Sequence, residues 1–317
     1  MKTMKWLIRR EFWEHKGILL WVPLLIAGII SALMLLVSFK LSRFPSSEMR
    51  MVIDQVHSGA TDVGATMMDA TLNAYLLVEA PFLVALTVLV FFYCLSALYD
   101  ERRDRSILFW KSLPVSDQLT VFSKLAVALG MLPAIAVVLA TLTAFFVLLV
   151  VGMMFTFNGV NLLGPLLSHS ALYLAPLQIF GLLPVYVLWA LPTVGWLLLV
   201  SSWARSKPFL WALGAPGMLL LLLTIVEENF HLGWNVKWFA TNIIARGLLG
   251  TIPGSWIGFE RMQPEMWHRP AGWGVDLSRV LELSWASLAS PQLWYGVVIS
   301  AAMIYGAIRM RRWREAA

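Results

Sequence analysis

Six stretches of this chain are long and nearly free of charge: 18–39, 76–98, 125–155, 172–201, 209–226 and 293–308. Several exceed the roughly 18 apolar residues needed to cross a bilayer core of about 30 Å. Polar and charged residues gather in short blocks between them. The alternation predicts an all-α, polytopic membrane protein of six helices, folded as one domain over 1–317. The third and fourth stretches are longer than a straight crossing needs, so tilt or extension beyond the bilayer is expected. The fourth carries Pro176, Pro184 and Pro192; each removes a backbone donor, so that helix should kink.

Composition strengthens the membrane reading. Apolar residues make up 59% of the 317 and charged residues 13%, about half the ~25% of soluble domains. A soluble fold of this size has too little polar surface to cover so much apolar side chain. The segment MKTMKWLIRREFWEHKG is too long and too charged to be the start of a cleavable signal. Cys94 is the only cysteine, which excludes an internal disulfide and zinc-finger spacing. No N-x-S/T sequon occurs, which leans toward a bacterial inner membrane.

The net charge of +6 reads as topology rather than as a nucleic-acid surface. Sixteen of the 24 basic residues fall on one side of the six-helix pattern: the N-terminal segment, the connections after spans two and four, and the C-terminus. The positive-inside rule then puts both termini in the cytoplasm.

One cytoplasmic connection stands out, YDERRDRSILFWKSLPVSD at 99–117. Six ionised residues, Asp100 to Arg105, follow an uncharged span, and Ile107, Leu108, Phe109, Trp110 and Leu113 come directly after. For the charges, a solvated helix end with a Glu101–Arg105 pair is one reading. The apolar cluster needs a surface to lie against, either lipid headgroups or a protein groove that accepts aromatic anchors ringed by charge. Pro114 should stop that helix, and Ser116 should cap the next, starting near Asp117. In the N-terminal segment Met4, Leu7, Ile8 and Phe12 share a face, while Trp6 and Trp13 lie opposite and Glu11 interrupts the stripe, so an interfacial lie is expected.

Glu227 to Gln292 is the longest non-spanning piece, with Trp234, Trp238, Trp256, Trp267, Trp273 and Trp285. Aromatic anchoring at the outer interface explains such a run. Trp234, Trp238, Ala245 and Leu248 fit one helical face, and Gly250, Pro253, Gly254 and Gly258 mark a break. Glu79 is the one carboxylate near a span interior, about one turn into span two, and intramembrane acids are costly. With Asn73, Tyr75 and Gln178 it either lines a pathway or gate or sits at an interface.

Enzyme chemistry finds no foothold. His15, His57, His169, His231 and His268 are scattered, with no i, i+4 pair for a metal. No G-x-S-x-G elbow exists, and no Gly-Lys dipeptide, so a G-x-x-x-x-G-K-[ST] phosphate loop is excluded. The expectation is no catalytic residue, no metal site and no cofactor in this chain.

Taken in order, WLIRREFWEHKG, LYDERRDRSILFWKSLPVSDQLTVFSK, SSWARSKPFLWAL and the terminal RMRRWREAA resemble the permease subunits of ABC transporters of the ABC-2 type, or type V exporters. The likeness covers nearly the whole chain. It implies a cytoplasmic elbow helix at the N-terminus and a coupling helix at about 105–114, with Ile107, Leu108, Phe109, Trp110 and Leu113 docking in a groove on a separate ATPase. Arg102, Arg103, Arg105 and Lys111 would pair with acidic groups there. It further implies outer re-entrant or interfacial helices before the last span, ATP and Mg on the partner ATPase, and two permeases working with two ATPase subunits. An amphipathic or hydrophobic compound would be exported. A non-transporting membrane scaffold or sensor keeps the same coupling helix, and an enzyme on lipid-linked substrates would need convergent catalytic groups that are absent from the sequence.

Overall fold

The computed structural model describes residues 2–43, 61–107, 110, 115–161, 163–168, 170–259, 268–269, 272–273 and 276–313; at 2, 61–72, 165, 166, 171 and the four strand residues it describes the backbone alone. Among the described residues the regular secondary structure is helical except for an antiparallel ladder of two residues per strand, His268–Arg269 against Gly272–Trp273.

Six helices are long and apolar enough to cross a membrane: Gly17–Arg43, Asn73–Arg103, Asp117–Phe157, Leu172–Trp203, Pro208–Phe230 and Pro291–Trp313. They contain the six expected stretches, most of them extended at both ends, and mark a multi-pass membrane protein. The third begins at Asp117 as expected, where the Ser116 hydroxyl accepts from the Leu119 amide at 3.3 Å. The fourth stays helical through all three prolines. Single turns of π-helix interrupt the first and third spans at Gly17–Trp21 and Val127–Met131.

With six crossings, both chain ends lie at one end of the bundle, called the terminal end below, and the opposite end is the far end. Span four is the hub. Of its most apolar stretch 56% is buried, against 6% in span five, which is peripheral. Spans two, three, four and six share a core around Val90, Tyr93, Leu132, Val194, Leu197 and Leu198. A second apolar cluster toward the far end joins Tyr75 and Val78 to Val147, Leu172 and Ile179. Spans four and six touch closely because Gly195 has no side chain; a Cβ there would sit 3.2 Å from the Ser300 carbonyl. In lipid, where apolar burial drives little helix association, such close backbone packing is a main source of cohesion.

Candidate functional site

The blocks of charge at the terminal end fold inward. The amino-terminal helix Lys2–Glu14 turns Leu7 and Glu11 into the protein and leaves Trp6 65% exposed. Glu11 therefore does not break an interfacial stripe; it is the polar member of the buried face, and it is 0% exposed. Lys124 of span three donates to both its oxygens at 3.0 and 3.2 Å, and the Tyr93 hydroxyl of span two donates at 3.1 Å. Arg10 reaches Glu11 at 2.9 Å and Glu101 at 3.0 Å.

Glu101, at the end of span two, is the second centre. It pairs with Lys124 at 3.0 Å, with Arg10 and with Arg311 from the end of span six. Arg311 also holds Asp117, the first residue of span three, at 3.0 Å. Glu11, Glu101 and Asp117 thus meet Lys124, Arg10 and Arg311 in one cluster drawn from the amino-terminal helix and spans two, three and six, with Glu14 also on Arg10 at 3.2 Å. The expected Glu101–Arg105 pair is replaced because the chain turns out of the helix at Asp104 and Arg105, the latter at φ 57°. Arg105 points to the exterior while Glu101 stays inside.

The expected docking residues divide. Arg102 is buried, and its guanidinium donates to the Ser201 and Ala204 carbonyls at 2.7 and 2.9 Å, closing the end of span four. Its charge is spent inside the chain, so a role in pairing with an external partner does not suit it. The Ser201 hydroxyl completes this splice, accepting from the Leu98 and Tyr99 amides and donating to the Leu95 carbonyl. Ile107 is also buried, whereas Arg103 and Arg105 are exposed. Trp110 lies under the Arg10 guanidinium, 3.7 Å from the ring centroid. Leu108, Phe109, Lys111 and Leu113 lie outside the described residues.

At the far end a different arrangement appears. The helical run from Val236 to Leu249 has Asn235 at its start, whose side chain accepts from the Trp238 amide at 2.8 Å. Beyond it the chain turns at Gly250 and Thr251 against the middle of the bundle. The Thr251 carbonyl accepts from Thr87 of span two and Tyr186 of span four, each at 3.3 Å and each near the midpoint of its span. The Gly250 amide donates to Thr193 at 3.0 Å, and a Cβ on Gly250 would lie 2.5 Å from the Trp189 carbonyl. Non-helical backbone at that depth is stable only when protein groups satisfy it, and these do. The helix Leu277–Ala286 covers the turn: Trp256 donates to Ser284 at 2.9 Å, and Trp189 donates to Ser287, just past that helix, at 3.1 Å.

Beneath this cover lies a cavity of about 240 Å³, lined by spans two, three and four, the turn at Pro253 and Gly254, and the covering helix. Among the described residues Glu79 is the only carboxylate on its wall, which has no lysine, arginine or histidine; Glu79 is 4% exposed and its Oε1 makes no close hydrogen bond. Tyr75, one turn earlier on the same helix, is buried beside it and interacts with it and with Thr141. Gln178 does not face this acid; it donates to Ser278 at 2.9 Å and ties span four to the covering helix.

Sequence reasoning named Glu79 but missed Glu11, Lys124 and Arg311 as a unit. The available signal was an acid on the apolar face of the first helix, one turn after Leu7, which demands a cation once buried. Nothing local indicated which cation.

No protein-family model, curated protein or solved structure matches the chain.

Proposed function

We propose that this chain is the membrane-spanning permease subunit of an ATP-driven exporter of the ABC-2 type, paired with a second permease and with two separate ATPase subunits that hold ATP and Mg. The carrying observation is the build of the connection after span two. One side of it is fastened by Glu101 and Arg102 to the amino-terminal helix and spans three, four and six. The other side presents Arg103 and Arg105 outward, and the sequence that follows them carries Leu108, Phe109, Trp110 and Leu113. A rigid base under an apolar and basic knob is what a docking helix needs in order to pass a push to several spans at once.

In this reading the terminal end faces the cytoplasm of a bacterium, and the protein sits in its inner membrane. The knob, with Phe109 and Trp110 as anchors, fits a groove on the ATPase. ATP binding draws the ATPases together, and the fastened connection carries spans two, three, four and six as a body. The peripheral spans one and five, with apolar outward faces such as Ile29, Leu33, Met218 and Leu222, border the second permease and the path between the two. The turn at Gly250 and Thr251 acts as a re-entrant plug toward the outside. The amino-terminal helix takes the place of the elbow helix.

The test is co-purification with the ATPase encoded by a neighbouring gene. Phe109→Asp with Trp110→Asp should abolish the complex while leaving the isolated permease folded; a complex that survives overturns the docking assignment. Substrate-stimulated ATP hydrolysis in liposomes then separates an exporter from a non-transporting scaffold that docks the same way.

A further inference from the structure

The cavity under the covering helix combines an apolar wall with one acid that lacks a counter-charge. Leu76, Leu83, Leu86, Val137, Ile179 and Leu183 supply most of the wall, and Tyr186 and Trp256 supply aromatic surface. The polar atoms of those two aromatics are already engaged, by the Thr251 carbonyl and by Ser284. Glu79 Oε1 makes no close hydrogen bond, and the nearby Tyr75 hydroxyl interacts with Glu79 and with Thr141 of span three. Thr141 is unusual in this. Thr143, Thr156 and Thr224 each return their hydroxyl to the carbonyl four residues back, the ordinary resting place for a threonine in a membrane helix. These groups form one buried polar patch, of which Glu79 alone lies on the cavity wall.

A buried acid with no counter-charge is expensive. The terminal-end cluster shows how this chain neutralises its other buried carboxylates, with its own lysine and arginines. Among the described residues no lysine or arginine lines the cavity, so Glu79 is neutralised there either by taking up a proton or by a cation that enters the cavity. We propose that the cavity is a binding site for a small hydrophobic amine, its protonated nitrogen at Glu79 and its apolar body among the leucines and the two aromatic rings. An ammonium brings both the opposite charge and three N–H donors for acceptor oxygens, and aromatic walls favour a cation further. A lipid tail would fill the space yet leave Oε1 unpaired, and an anion would be repelled. A metal ion is disfavoured because only one side chain on the wall is a carboxylate. Size restricts the ligand: a cavity of about 150 Å³ holds benzene, so 240 Å³ suits a body of about ten non-hydrogen atoms by the same scaling. The proposal needs neither the second permease nor an ATPase, and it stands or falls apart from the transport reading.

The probe pair is 2-phenylethylammonium and 2-phenylethanol, equal in size and differing in charge, titrated calorimetrically into the full chain in lipid nanodiscs, with empty nanodiscs subtracted. The wild type should bind the amine at least about tenfold more tightly than the alcohol, as expected of a charge-assisted hydrogen bond. Glu79→Gln, which keeps the shape, should bring the two affinities together by weakening the amine alone. Leu183→Trp, which fills the space and leaves Glu79 in place, should remove saturable binding of both; it also keeps the test decisive if the glutamine variant fails to fold. Equal wild-type affinities, a preference that survives Glu79→Gln, undiminished binding in Leu183→Trp, or no saturable amine binding at all would each overturn the proposal.

Discussion

The two ends of the bundle treat a buried carboxylate in opposite ways. At the terminal end Glu11 and Glu101 are enclosed by Lys124, Arg10 and Arg311, and apart from the Arg10–Glu11 contact within the amino-terminal helix each pair joins two different helices. At the far end Glu79 is nearly as buried yet meets leucines, a cavity and two hydroxyls. The first arrangement is closed: its buried carboxylates meet basic groups of the chain itself, and its hydrogen bonds bind the helices to one another. The second is open, with hydrogen-bonding capacity directed at space rather than at protein. The contrast separates charge that holds a fold together from charge kept for something that arrives.

Substitutions at both ends can break or sharpen this comparison. Lys124→Met should have the largest effect, because it leaves Glu11 and Glu101 short of a cation in a dry site. Breaking a buried pair in this way costs about 3–5 kcal/mol, measurable as lost resistance to SDS unfolding. Adding Glu11→Gln to that variant restores the balance of charge, and the double variant should be more stable than the sum of the two single losses by about 0.5–3 kcal/mol. Strict additivity would mean that the two residues do not act as one unit.

Smaller effects follow. Gly250→Ala forces a methyl against the Trp189 carbonyl, and overpacking of this kind costs about 1–3 kcal/mol; the same measurement reads it, and no loss would mean that the turn does not press on span four. Asp117→Asn removes a partly exposed partner of Arg311 and should cost about 1 kcal/mol or less, with the melting temperature as readout. Glu79→Leu should be the mildest and opposite in sign, neutral or slightly stabilising, since it replaces a buried acid without a counter-charge by apolar volume. A large loss on Glu79→Leu would place that acid with Glu11 and Glu101 as structural and erase the distinction between the ends.

What could be read in advance depended on the range of the interaction. The six spans were legible because a helix in lipid must be apolar over about 20 residues whatever its neighbours are. The start of span three was equally legible, since a serine cap acts within one turn. The charged connection after span two was recognised as unusual, but its partition was not. Arg102 and Arg103 are adjacent in sequence, one donating to span four and the other exposed, and only the direction each takes around the helix separates them. The outer tryptophans look alike as residues, yet Trp256 is buried against Ser284 while Trp234 and Trp238 are exposed.

Length, apolarity and the placement of basic residues were enough to specify a six-helix membrane protein and the crowding of charge at one end, because these follow from transferring single segments out of water. The pairing of Glu11 with Lys124, the reach of Arg311 to Glu101 and the depth of the turn at Thr251 join residues separated by up to 210 positions. No local pattern encodes such distances. They are decided when the helices pack, and packing alone determined which buried acids found partners and which one was left facing a cavity.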